Sequence, residues 1–351
     1  MPLRYRDSST EKFKVFGAAL DALDLPEKVA LKLAYVESMR ESPWQELAFD
    51  PYDAINNLLL EQAYTAKNVE WIGKFPIESR LSPKPLVGDE GFLTITFFTD
   101  FLDKNGCLTY REKLVSYLKD NVYPASPVMI GVDHSLTGGV LRYLAESNND
   151  FNVVILDSHT DIIDFSTKRA LVTPSLGKGS SSPPDIYECG SFIGHLLNEN
   201  VIKADRLWIL GTQDLPEDAE RLEIPLYAQR LRDWVRKGVH LISKSDLVRH
   251  GIPEEIEGPT YISIDIDVGS YASVLACRFM DRIGLEYEAL VGILKSLSAL
   301  IKQNRISLLG LDVMELDVHF LNEEVSDRRD CTLEILKNIF DELVFSESDR
   351  N

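Results

Sequence analysis

Asp157-Ser-His159-Thr-Asp161 sets three metal-ligating side chains within five consecutive positions. On an extended segment alternate side chains share a direction, so these three can converge on one point. Their mixture of carboxylate oxygen and imidazole nitrogen suits Mn²⁺, Fe²⁺, Ni²⁺ or Zn²⁺ better than the all-oxygen shell of a Ca²⁺ site. Three distant pieces carry similar groups: Gly131-Val-Asp-His134-Ser135, Ser263-Ile-Asp265-Ile-Asp267 and Asp312-Val-Met-Glu315. Singly, most are ordinary, because an Asp-His-Ser makes a good helix N-cap and an Asp-x-Asp is common in loops. Together, each beside a short apolar run, they outline a two-metal hydrolase. Its ligand candidates are His134, Asp157, His159, Asp161, Asp265 and Asp267.

The apolar runs indicate what must position these groups. Val128–Val132, Val153–Leu156, Leu207–Leu210, Val239–Ile242, Tyr261–Ile266 and Ser307–Leu311 are short and rich in β-branched residues. Helical patterns at Leu136–Leu144, Asp218–Arg236 and Tyr287–Ile301 fall between them. This alternation predicts an α/β fold, a three-layer α/β/α sandwich around a mostly parallel sheet. In such sheets ligands bind beyond the carboxyl ends of the strands, where the candidate residues fall.

Residues 10 to about 70 read as helical, from the stripe Phe13, Val15, Phe16, Ala19, Leu20 and Leu23, a helix start at Pro26, and another at Asp50-Pro51. The expected division is therefore a helical N-terminal extension over 1–75 and an α/β domain over 76–351. Phe92–Phe98 reads as a strand followed by a helix around Arg111–Lys119, and Pro76–Gly88 as irregular. Leu171–Asp185, rich in Pro, Ser and Gly, reads as a long surface loop.

A formal charge of −19 over 351 residues argues against a nucleic-acid partner, which needs clustered Lys and Arg, and fits a cationic small substrate. The four cysteines are scattered without a Cys-x-x-Cys pair, which reads as reduced thiols in a cytoplasmic protein. No run is apolar enough to span a membrane, and the N-terminus is too polar for a secretory signal.

The motifs GVDHS (131–135), DSHTD (157–161) and SIDID (263–267) resemble those of the ureohydrolase (arginase/agmatinase) superfamily: Gly-Gly-Asp-His-Ser, Asp-Ala-His-x-Asp and Ser-Phe-Asp-x-Asp. The likeness covers roughly 125–345. It implies two divalent ions, typically Mn²⁺, with Ni²⁺, Fe²⁺ or Zn²⁺ as alternatives, and hydrolysis of a linear C–N bond in a guanidino-type substrate by a metal-bridging hydroxide. By that resemblance His134, Asp161 and Asp157 hold one ion and His159 the other, Asp265 and one oxygen of Asp157 bridge, and Asp267 chelates. Glu315 matches the position that pairs with the guanidinium, two N–H donors meeting a planar carboxylate side by side. His195 resembles the histidine that shuttles protons, and Asp161 completes the catalytic set. A homo-oligomer is also implied.

The sequence departs from the pattern in the pocket. Ile163 stands where arginases carry an Asn that helps hold the amino-acid end of arginine, which disfavours arginine itself. Val132 replaces the second glycine of the first motif. Ser273–Asp281 replaces a Pro/Gly/Thr-rich loop, altering support behind the ligands. Agmatine, another guanidino compound, a formimino compound and an amidine all remain open. A non-catalytic binding or regulatory subunit keeping the fold is the reading from a different class. Single-Zn²⁺ deacetylases on a related fold are disfavoured by the full pair of acidic motifs. His240, His250 and His319 read as structural.

Overall fold

The computed structural model describes residues 13–345 apart from 42–49, 60–65, 149, 163–185, 222–224, 280–283, 318–319, 322–323 and 326–327. Eight parallel strands form one sheet: β1 (Phe13–Ala18), β2 (Val69–Lys74), β3 (Ser126–Gly131), β4 (Asn152–Leu156), β5 (Leu207–Thr212), β6 (His240–Ser243), β7 (Gly258–Asp265) and β8 (Ile306–Met314). Their order is β2-β1-β3-β8-β7-β4-β5-β6. Every pairing between neighbours is parallel. This is the α/β/α sandwich that the alternating pattern predicts.

Successive strand residues face opposite sides, and both sides are buried. Val153 and Ile155 enter one apolar cluster, while Val154 and Leu156 enter the other. The same division separates Leu207 and Ile209 from Trp208 and Leu210. Helices Thr137–Ala145 and Phe192–Asn198 contribute Val140, Leu141, Phe192 and Leu196 to the first layer. Helices Tyr287–Lys302 and Thr332–Ile339 contribute Leu290, Leu294, Ile335 and Leu336 to the second. With each fully buried aliphatic side chain stabilising by roughly 1.5–3 kcal/mol, the strand interiors have little tolerance for charge. The chemistry collects at the strand ends.

The helical reading of residues 10 to about 70 is corrected at two places. Phe13–Ala18 and Val69–Lys74 are strands, with β1 lying between β2 and β3. An inner strand buries both faces, so Phe13, Val15, Phe16 and Ala18 show no clean alternation and imitate helical spacing. Helices at Pro26–Glu41 and Pro51–Leu58 occur as expected. The strand expected at Phe92–Phe98 is also corrected, because Ile95–Asp103 is a helix. The Thr94 side chain caps it by accepting from the Phe97 N–H at 3.2 Å, and Phe98 and Leu102 form its buried stripe. This cap and stripe outweigh the strand preference of aromatic and β-branched residues. The expected loop at 171–185, Ile163 and His319 lie outside the described residues. No described helix is long and apolar enough to cross a membrane.

Candidate metal centre

Four adjacent strands, β3-β8-β7-β4, carry the candidate residues at or just beyond their carboxyl ends. His134 opens a helical turn after β3, Asp157–Asp161 follow β4, Asp265 ends β7, Asp267 lies in the next turn, and Glu315 follows β8. The end of β3 is tightly enclosed: a Cβ on Gly131 would sit 2.6 Å from the Met314 methyl and 2.9 Å from the Ala18 carbonyl oxygen. Only glycine lets β3 run between β1 and β8 there. A second glycine, Gly194, lies against the loop after β4, where a Cβ would come within 2.2 Å of the Ile162 carbonyl oxygen.

The structure brings the ligand candidates into two groups. His134, Asp157, Asp161 and Asp265 form one, and Asp157, His159 and Asp267 form the other, with ligand atoms in each within 4.8 Å of one another. Asp157 belongs to both, whereas Asp265 falls in the first alone. His134 Nδ1 lies 3.3 Å from Asp157 Oδ2, 3.0 Å from Asp161 Oδ2 and 3.1 Å from Asp265 Oδ2. His159 Nδ1 lies 2.9 Å from Asp267 Oδ2 and 3.7 Å from Asp157 Oδ1. Adjacent ligands around an octahedral ion with bonds of about 2.1 Å stand roughly 3 Å apart, which is this spacing.

Hydrogen bonding also fits a metal. His134 Nε2 lies 2.9 Å from Ser263 Oγ, and the Ser263 hydroxyl donates to Asp312 Oδ1 at 2.5 Å. The Ser263 oxygen therefore accepts from Nε2–H, which leaves the Nδ1 lone pair facing three carboxylate oxygens. His134 Nδ1 and Asp157 Oδ2 are buried and make no hydrogen bond. A lone pair held against anionic oxygens needs a cation between them, either a proton or a metal.

The titration of the metal-free protein reflects the same demand. Burial, with Asp161 and Asp267 nearby, pushes the Asp157 carboxyl up to about 7. Burial, Asp267 and Asp157 push Asp265 well above the carboxylate range. Burial opposes the charge on His134, yet Asp157, Asp161 and Asp265 raise its imidazolium well above the ordinary histidine value. Burial likewise opposes ionisation of Asp267, but His159 and the Ser158 N–H hold it below the usual value.

Asp312, quoted from sequence with Glu315 but left out of the ligand candidates, supports His134 through Ser263. Fully buried, it accepts from Thr137 Oγ1 at 2.6 Å and Tyr261 Oη at 2.5 Å as well as from Ser263. A carboxylate inside an apolar strand is itself a signal, since it needs several donors to be tolerated there. Ser263→Ala is expected to weaken metal binding by roughly 10- to 100-fold while leaving the fold intact. A metal titration on the variant checks this, and parent-like affinity would remove the relay from the site.

A cavity of about 240 Å³ opens over these groups. His159, Asp161, Asp265, Asp267 and Glu315 line it, together with Glu188–Gly190, Phe279 and an N-terminal wall of Leu23, Asp24 and Leu25. That wall precedes the helix starting at Pro26 and was not assigned to the site from sequence. Asp161 and Glu315 hold left-handed backbone, with φ of 50° and 60°. Such angles cost energy for non-glycine residues and collect where a side chain must be aimed.

His195 does not reach the cavity wall. It lies on the helix Phe192–Asn198, beyond Glu188–Gly190, with its ring edge-on to Tyr187 at 5.4 Å between centroids. Losing a general acid or base costs about 10²–10⁴-fold, so His195→Ala is expected to stay well short of that in kcat. A 100-fold loss restored by added imidazole would support the shuttle role, and a variant as fast as the parent would leave His195 structural. His240 stacks on Trp208 at 3.7 Å between centroids, in keeping with a structural part.

An arginase family model matches residues 64–333. No curated protein matches the sequence. Among solved structures, arginase from Bacillus caldovelox aligns with a TM-score of 0.60 at 16% identity, over 95% of this chain and 100% of that one. Proclavaminate amidino hydrolase from Streptomyces clavuligerus aligns at 0.55 and 19% identity, over 97% and 93%. Trypanosoma cruzi formiminoglutamase, solved with Mn²⁺, aligns at 0.56 and 14% identity, over 96% and 95%. At these identities the likeness is one of fold.

Proposed function

The chain belongs to the arginase family, and from that premise we propose a binuclear-metal hydrolase cleaving a linear C–N bond in a small cationic substrate of guanidino type. The observation that carries this reading is Asp157, shared by two groups of ligand atoms beneath one cavity. His134, Asp157, Asp161 and Asp265 would hold one ion, and Asp157, His159 and Asp267 the other. When bound, such a pair supplies Lewis acidity and lowers the pKa of a water to near neutrality. Mn²⁺ is the proposed metal.

The chain's own residues account for the rest. Asp312 and Ser263 keep the proton of His134 on Nε2 and its Nδ1 free for the centre. Glu315, buried and lining the cavity, has an oxygen, Oε2, without a hydrogen-bond partner, and this oxygen receives an N–H of the substrate cation. Asp161 lies on the cavity wall beside His134, and it would carry a proton to the departing amine. Leu25 and Phe279 cover apolar parts of the substrate and exclude water. Asp24 and Glu188 add negative charge to the same cavity, which favours a cation.

Urea release from a panel led by agmatine, with arginine included, tests this after incubation with Mn²⁺ and separately with Ni²⁺. Urea from one compound is the expected result and names the side-chain pocket. Metal bound without urea from any compound would overturn the guanidino assignment and move the substrate to the formimino or amidine class.

A further inference from the structure

We propose that Arg278 is the positioning residue of this cavity, committing one oxygen of Glu315 to the protein and leaving the other alone to read the substrate cation. This rests on the cavity being the substrate site.

The Arg278 side chain is 1% exposed and meets three carboxylates from separate parts of the chain. Its Nη2 lies 3.1 Å from Asp21 Oδ1, and its Nη1 lies 3.1 Å from Asp133 Oδ2 and 3.4 Å from Glu315 Oε1. Its backbone N–H donates to the Glu315 carbonyl at 2.7 Å. It stands behind the cavity wall, lining a separate small space with Asp21, Lys28 and Lys32.

Glu315 Oε1 also accepts from the His134 N–H at 3.0 Å. A carboxylate oxygen has two lone pairs, so Oε1 is filled by these two donors. Oε2 is buried, has no partner and belongs to a side chain lining the cavity. A flat, forked cation pairs side by side only when both oxygens are open. Here the protein's own guanidinium takes one of them, and substrate contact with Glu315 becomes a one-oxygen contact. Asp21 extends the effect: held by Arg278 and by Lys32 at 3.1 Å, it lies two residues before the wall Leu23–Leu25. One buried cation therefore fixes both the recognition carboxylate and the wall.

The test compares two probes on the Mn²⁺-loaded full chain: agmatine, whose end is a guanidinium fork, and 1,4-diaminobutane, which replaces the fork with an ammonium. Affinity is read by calorimetry, or as KM and Ki where agmatine is turned over. Arg278→Met should open Oε1 and raise the agmatine-to-diamine affinity ratio about tenfold, the value of one added charge-assisted hydrogen bond. Arg278→Lys, which keeps the buried charge without the fork, should raise it less. Arg305→Met, which removes an arginine paired with Glu257 at the far end of the sheet, should leave the ratio unchanged. An unchanged ratio in folded, metal-loaded Met and Lys variants overturns the proposal, as does failure of both to fold. A shifted ratio without urea release keeps this inference and removes the guanidino substrate. No binding of either probe to the parent removes both.

Discussion

Replacing Asp157 with Asn is expected to empty the centre. Asp157 is the carboxylate common to both ligand groups, so its loss removes a ligand from each. Asp161 belongs only to the first group and Asp267 only to the second. Elemental analysis of purified protein should then show two ions per chain in the parent, none in Asp157→Asn, and one in each of Asp161→Ala and Asp267→Ala. Activity in Asp157→Asn should fall by about 10³-fold or more, the several kcal/mol of barrier lowering that metal ions contribute. The decisive outcome is the ordering. Two ions retained in Asp157→Asn, or equal losses in all three variants, would break the two-group arrangement.

The second large effect is a reversal of the usual pH dependence when metal is removed. In the metal-free fold, Asp157 is raised from its ordinary 3.8 to about 7 and Glu315 from 4.5 to about 8. Burial is the first cause of both. Asp265 and His134 move upward as well. A group with a raised folded pKa stabilises fully below its unfolded value and loses that contribution as pH climbs through the folded one. Asp267 shifts the other way, and its contribution is lost only on acidification below the ordinary carboxylate range. Chelated protein should therefore melt at a lower temperature at pH 8 than at pH 6, by roughly 2–5 °C. Mn²⁺ replaces the missing protons, so the rise in melting temperature on adding it should be larger at pH 8. Thermal scans of chelated and reloaded protein check this. Metal-free protein that grows more stable from pH 6 to pH 8 would show that the buried carboxylates do not crowd one another.

Five of the six candidate ligands, all but His134, recur at i and i+2 beside apolar runs, so spacing alone suggests that they share a direction. Parts of the site depend on contacts made only by folding. Ser263 meets His134 across 129 positions and Glu315 meets the His134 N–H across 181. Arg278 stood out in sequence as part of a replaced loop, but nothing there shows it facing Asp21, Asp133 and Glu315. The fold class was legible from alternation, while β1 was not, because a strand buried on both faces loses the period that distinguishes it from a helix. The helix at Ile95–Asp103 was hidden by composition, since its aromatic residues favour strands until a threonine cap and a buried stripe decide otherwise.

The position of β1 bears on how fragments of this protein would behave. The family match begins at residue 64, yet β1 ends at Ala18 and pairs with both β2 and β3. A fragment trimmed to the matched region would strip an inner strand, leave β2 with no neighbour in the sheet, and bare the edge of β3. Unpaired strand edges recruit other chains, so such a fragment should precipitate or cross-pair. It would also lack Asp21 and the wall at Leu23–Leu25, and any soluble remainder would hold a metal basin open on one side.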